Sequence, residues 1–166
     1  MKVEINAVVL TISNAMARGE KEDNAGLAAV EQLEQAQIRV VDREVIRSDR
    51  TTIAQSLIKY SDRDGVNLIL TLGGTGLTRS DLTPEAVMDV IEREVPGIPE
   101  LMRTANRDST PLAILSRAVA GIRSNTLIVN LPGSVKGIKE SFAAIRHVLP
   151  HAIGTLTDQV HKCGGR

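Results

Sequence analysis

Short apolar runs and apolar residues at helical spacing alternate along this chain. Residues 5–12 form a run rich in β-branched side chains, the pattern of a buried strand. Leu27, Val30, Leu33 and Ala36 then recur every three or four residues, and Asp23 or Asn24 is placed to cap that helix. Residues 39–46 predict a second strand. Ile53, Ala54, Leu57 and Ile58 predict a second helix, with Asp49 or Thr51 just before it. Residues 67–72 predict a third strand that runs into Gly73-Gly74-Thr75-Gly76. In the following Asp81-Leu82-Thr83-Pro84-Glu85-Ala86, Thr83 reads as an N-cap and Pro84 as the first helical residue. Val87, Val90 and Ile91 give that helix an apolar face. Pro96, Pro99 and Pro111 break the pattern over residues 95–117 and leave one short helix around 100–107. Residues 126–131 predict a fourth strand. Pro132-Gly133-Ser134 leads from it into a helix with Ile138, Phe142, Ile145 and Leu149 on one face, and a last helix covers 151–160.

Strand–helix alternation implies βαβ units. The expected fold is therefore α/β, a three-layer αβα sandwich with a mostly parallel sheet covered on both faces. Ligands of such sheets bind outside the carboxyl ends of the strands. The loops after Ile12, Ile46, Leu72 and Leu131 are thus the ones to inspect.

The chain has 166 residues, which suits a single domain spanning 1–166. Aromatic residues are nearly absent: Tyr60, Phe142 and no Trp. Binding of nucleic acid by base stacking needs aromatic platforms, so that class is disfavoured. Twenty basic residues balance twenty acidic ones with no long run of either sign, so neither nucleic acid nor a membrane is an expected partner. The apolar run at Val8-Val9-Leu10 is too short to span a bilayer, and the N-terminus does not read as a signal peptide. Cys163 is the only cysteine, which suits a reducing compartment, and a cytoplasmic location is expected.

Glycines at 73, 74 and 76 let backbone N–H groups turn toward an anion, and Thr75 adds a hydroxyl. The same residues also serve as a simple tight turn. The loop is not a Walker A motif, because Leu77-Thr78 follows Gly76 where a Lys-Ser/Thr pair is needed. Nor is it a dinucleotide fingerprint, because Arg79 stands where the third glycine belongs. Asp81 is either a favourable charge at the helix start or a Mg²⁺ ligand beside bound phosphate. Asp49, at the same sheet edge, is either a helix cap or a second carboxylate for one or two metal ions.

Ser134 reads as an N-cap whose helix could also receive an anion; Lys136 and Lys139 in its first turn are solvated, or else offset by that anion. The polar stretch 14–24, about 11 residues, is a lid or a variable surface loop. His147 and His151 have ligand spacing but flank Pro150, and His161 and Cys163 lie near the end of the chain. No Ser-His-Asp or Cys-His set is evident.

Taken together, Leu70-Thr71-Leu72-Gly73-Gly74-Thr75-Gly76 and Asp81-Leu82-Thr83-Pro84-Glu85-Ala86 resemble the signature of the molybdenum cofactor biosynthesis MogA/MoaB family. The resemblance continues through Ala113-Ile114-Leu115-Ser116-Arg117-Ala118-Val119-Ala120-Gly121 and Asn130-Leu131-Pro132-Gly133-Ser134, so it covers nearly the whole chain. The G domain of gephyrin shares these motifs. The resemblance implies the MogA/MoaB-like fold and molybdopterin adenylyltransferase activity, with ATP as co-substrate and Mg²⁺ as cofactor. It implies that Asp49 and Asp81 are the catalytic, metal-positioning carboxylates. Ser13, Gly73, Gly74, Thr75, Gly76, Thr83, Pro132, Gly133 and Ser134 would contact molybdopterin or ATP. It also implies a homo-oligomer, a trimer ahead of a hexamer, with the pathway's metal-insertion enzyme as a candidate partner.

One departure stands out. Many members carry an arginine two residues after the serine that ends the first strand, and here the segment is Ser13-Asn14-Ala15, with Arg18 the nearest replacement. That change motivates a second reading, a molybdopterin-binding or scaffold protein without catalysis. A third, the CinA-like nucleotide-processing proteins, is disfavoured by length, because those chains usually carry a second domain.

Overall fold

The computed structural model describes residues 3–159. Its centre is a six-stranded sheet in the order β2-β1-β3-β6-β5-β4. β1 (Asn6–Ile12), β2 (Arg39–Ile46), β3 (Leu68–Leu72) and β6 (Thr126–Leu131) are the strands expected from the pattern, and they pair in parallel. β3 starts one residue later than expected, and just before it the Asn67 side chain reaches the chain that enters β1. Its amide donates to Glu4 O at 2.9 Å and accepts from the Asn6 N–H at 2.9 Å.

Side chains alternate across the strands, so two cores form. Val9, Leu70 and Val129 sit in register across β1, β3 and β6 and face one side. That side is covered by α2 (Asn24–Gln35), α5 (Gly97–Asn106), α6 (Val135–Ile145) and α7 (Leu149–Leu156). Val8, Ile69 and Ile128 form the adjacent row and face α3 (Arg50–Ser61) and α4 (Thr83–Val90). This is the expected three-layer arrangement. Phe142 and Leu33 are fully buried on the first side, Ile53 and Leu57 on the second, and each such burial contributes about 1.5–3 kcal/mol.

Several elements differ from the sequence pattern. Within α2 the buried face is Ala25, Ala28, Ala29 and Leu33, whereas Leu27 is exposed. Thr83 is the first residue of α4 and not its cap; Leu82 precedes it and no side chain caps the helix. α5 begins at Gly97, three residues before the expected start, because Pro96 sits at its N-cap and Pro99 in its first turn, where no N–H is required. A 3₁₀ turn, Pro111–Leu115, follows it.

β4 (Arg93–Glu94) and β5 (Ala120–Arg123) were not expected, and they add an antiparallel edge to the sheet. The helix through Phe142 stops at Ile145. Leu149, on the same apolar face, instead opens α7, whose residues 149–156 lie a little earlier than the expected 151–160. His161 and Cys163 lie outside the described residues. His147 and His151 are exposed. Among the described residues no helix is long and apolar enough to cross a membrane.

Candidate functional site

β1 leads to β2 through a helix on one face, and β2 leads to β3 through a helix on the other. The strand order therefore reverses between β1 and β3. The carboxyl ends of those strands form the crevice where such sheets bind ligands. There the backbones crowd. A Cβ on Gly73 would stand 3.0 Å from Ile12 O, and one on Gly133 would stand 3.2 Å from Gly73 Cα. Gly73 and Gly74 also have φ of +94° and +66°, in the left-handed region that glycine enters at least cost.

The loop after β3 turns its carbonyls into the protein. Gly73 O accepts from the Thr83 hydroxyl at 2.9 Å, and Gly74 O accepts from the Thr83 N–H at 3.1 Å. Thr75 O accepts from the Arg117 N–H at 2.9 Å, and Gly76 O accepts from Arg117 Nε at 2.7 Å. These peptides are trans, so each N–H points away from the carbonyl of its own peptide unit. The N–H groups of Gly74, Thr75, Gly76 and Leu77 consequently face outward, and among the described residues none has an acceptor. A row of unpaired N–H groups at a sheet edge is a nest for an anion.

Asp81 stands beside this row. Its carboxylate accepts from the Thr78 N–H at 2.9 Å and the Thr78 hydroxyl at 2.7 Å, and a Cβ on Gly76 would come within 2.9 Å of it. Asp49 caps α3, accepting from the Thr52 N–H at 2.8 Å. Hydrogen bonding from Thr52 holds the Asp49 carboxyl below its ordinary value. The loops bearing the two aspartates are clipped together where the Ser48 hydroxyl donates to Ser80 O at 2.8 Å.

Asn14, beside Ser13, joins the same edge by accepting from the Ser48 N–H at 3.0 Å. Ser13 follows β1 and caps a single helical turn, α1 (Asn14–Ala17), so the stretch 14–24 begins as a short helix. Arg18 is paired with Glu20. Among the described residues no three His, Cys, Asp or Glu side chains converge to cage a metal ion. A pair of carboxylates fits Mg²⁺ that arrives with nucleotide phosphates, since that ion usually takes one or two carboxylates plus phosphate oxygens.

Between the glycine loop and the turn after β6 lies a cleft of about 370 Å³. Thr75, Gly76, Leu77, Met102, Leu112, Pro132 and Ser134 are among its lining residues. Ser134 caps α6, accepting from the Gly137 N–H at 3.1 Å. Lys136 and Lys139 turn to Glu140 and Glu31, so their charges are met within the protein.

The fold thus gathers Gly73 to Gly76, Thr83 and Asp81 tightly, sets Gly133 against Gly73, and brings Ser13 and Asp49 to the same edge. The residue not singled out from the sequence is Arg117. It lies in the Ser116-Arg117-Ala118 motif, but nothing local shows that it reaches back across about forty residues to the glycine loop.

Residues 8–151 match the family model described as a probable molybdopterin binding domain. A molybdopterin adenylyltransferase of Helicobacter pylori J99 is 38% identical over 90% of this chain and 86% of its own. The molybdopterin adenylyltransferase of Escherichia coli K12 is 36% identical over 87% of this chain and 77% of its own. The crystal structure of the molybdopterin biosynthesis enzyme MoaB from Thermus thermophilus superposes with a TM-score of 0.88 at 45% identity, covering 93% of this chain and 97% of that one. The chain belongs to the molybdenum cofactor biosynthesis family that is defined by this molybdopterin-binding domain.

Proposed function

We propose that this protein is a molybdopterin adenylyltransferase, which moves AMP from Mg-ATP to the terminal phosphate of molybdopterin and releases pyrophosphate. The observation that carries this reading is the outward row of N–H groups from Gly74 to Leu77 beside the Asp81 carboxylate. Its relatives bearing that name support the choice of reaction. An oxygen of the molybdopterin phosphate attacks the α-phosphorus of ATP. A new P–O bond forms there as the bond to the oxygen bridging to the β-phosphate breaks, and pyrophosphate departs with that electron pair.

Phosphoryl chemistry of this kind depends on positioning and charge neutralisation more than on a covalent nucleophile. In this reading the N–H row grips phosphate oxygens, and Thr83 keeps the loop in shape. Pro132 and Ser134 line the cleft that takes a substrate ring, Gly133 lets the turn close against Gly73 beside the bound substrate, and Ser13 supplies a polar contact just after β1. Asp49 and Asp81 would hold Mg²⁺, which supplies positive charge against the phosphates. The whole chain, 1–166, acts as one domain in the cytoplasm and assembles as a homotrimer rather than a hexamer. It passes its product to the pathway's metal-insertion enzyme.

A binding-only protein is the second reading. Ala15 favours it, as does the pairing of Arg18 with Glu20, which leaves no arginine of that loop free for an anion. Turnover separates the two. The native chain should transfer AMP from Mg-ATP to molybdopterin, and Asp81→Asn should lower kcat by at least about 100-fold, the usual cost of removing one charge-stabilising group. Molybdopterin binding without AMP transfer by the native chain would leave only the binding-only reading.

A further inference from the structure

We propose that Arg117 is a positioning residue that fixes the glycine loop and the Asp81 segment at one separation, with Glu85 as its lock. The inference rests on the adenylyl-transfer reading and assigns a task to a side chain outside the expected site.

One guanidinium serves three partners. Nε donates to Gly76 O at 2.7 Å, Nη2 donates to Asp81 O at 2.6 Å, and Nη1 pairs with the Glu85 carboxylate. The Arg117 N–H adds a fourth bond, to Thr75 O. Because the peptides are trans, holding the Thr75 and Gly76 carbonyls turns the N–H groups of Gly76 and Leu77 toward the anion side. Holding the Asp81 carbonyl with the same rigid plane ties the carboxylate segment to that half of the nest. Thr83 secures the other half through Gly73 and Gly74.

Glu85 keeps the plane oriented. Arg117 draws the Glu85 carboxyl below its ordinary value, and Glu85 raises Arg117 in return. A lysine cannot replace this fork. Its single ammonium could meet Glu85 but could not span both carbonyls in one plane.

The test compares Arg117→Lys, Arg117→Ala and Glu85→Gln with the native chain. Pyrophosphate and Mg-ATP binding are measured by calorimetry, AMP transfer to molybdopterin by kinetics, and folding by thermal melts. Arg117→Lys should melt cooperatively, yet lose affinity for pyrophosphate and about 100-fold in kcat, the scale expected when reacting groups are misplaced by roughly an ångström. Adding guanidinium ion to Arg117→Ala should restore part of both, which a purely structural role would not produce. Glu85→Gln should lose less than Arg117→Lys, because the donors to both carbonyls remain.

A folded Arg117→Lys with native pyrophosphate affinity and native kcat would overturn the proposal. So would an Arg117→Ala that guanidinium cannot rescue alongside an unaffected Glu85→Gln. A native chain that transfers no AMP, but whose pyrophosphate affinity still depends on Arg117, would sink the adenylyltransferase reading and leave the positioning role standing. A native chain that neither binds pyrophosphate nor transfers AMP would sink both.

Discussion

Four parallel strands hand the chain to a helix at the same sheet edge, but only three of these entries are closed. After β1, Ser13 caps α1, after β2, Asp49 caps α3, and after β6, Ser134 caps α6. After β3 no side chain caps α4, and Thr83 turns its hydroxyl back onto Gly73 O. Capped entries satisfy the helix, which is a folding device. In the uncapped entry the polar groups shape the loop, drawing its carbonyls inward and leaving four successive N–H groups without an acceptor among the described residues. Where a protein leaves N–H groups unpaired at a strand end, a ligand is the partner to look for.

The most damaging way to break this contrast is Gly74→Ala. The new Cβ would lie 2.2 Å from Thr83 Oγ1, at a φ of +66°. Steric conflict and left-handed backbone together should cost roughly 2–4 kcal/mol in denaturant unfolding. Pyrophosphate binding should disappear, because the loop cannot keep both its carbonyl bonds and its shape. Gly133→Ala makes the matching control: its Cβ meets Gly73 Cα at 3.2 Å without a positive φ, so it should cost less. Equal losses in the two variants would mean that left-handed backbone does not set the β3 loop apart from the β6 loop.

Thr83→Val is the next test. It keeps the shape and removes the hydroxyl, leaving Gly73 O without its donor in a fully buried setting, at a cost of about 1–3 kcal/mol. Affinity for pyrophosphate should fall with it, and Thr83→Ser should restore affinity. If Thr83→Val binds pyrophosphate as the native chain does, the hydroxyl is not what shapes the nest.

Much of this architecture is legible in the chain itself. The run at 126–131 coincides with a strand because a parallel sheet buried on both faces leaves no polar alternation to blur its ends, whereas the strand at 39–46, half-buried at the sheet's edge, is marked by Val40, Val41, Val45 and Ile46 around a charged centre. Asp23, Asp49 and Ser134 are readable as caps because capping is a matter of three neighbouring residues. β4 and β5 are not legible: Arg93–Glu94 is two charged residues, paired only because β5 comes alongside. Thr83 misleads for a related reason. Its position before Pro84 looks like a cap, but its hydroxyl finds a carbonyl ten residues earlier, which no local pattern encodes. Arg117 is the extreme case, since its partners at Gly76, Asp81 and Glu85 meet it only in the folded chain.

The smallest expected effect tests a capped entry whose residue also has a proposed catalytic role. Asp49→Ala should cost about 1 kcal/mol, the usual value of an N-cap, whereas Asp49→Asn should cost little at neutral pH because asparagine caps equally well. The Asp49 carboxyl lies below its ordinary value because Thr52 bonds stabilise its charged form. A carboxyl depressed in the folded state contributes stability above the ordinary carboxylate range and gives it up as pH falls through its folded value. Native and Asp49→Asn proteins should therefore unfold alike near neutrality, with the native chain losing stability relative to the variant below about pH 4. Turnover should separate them where stability does not: if Asp49 helps hold the cation, Asp49→Asn loses activity at about pH 7 with its fold intact. A variant that keeps both would make the entry after β2 a cap and nothing more, leaving Asp81 as the one carboxylate of the site.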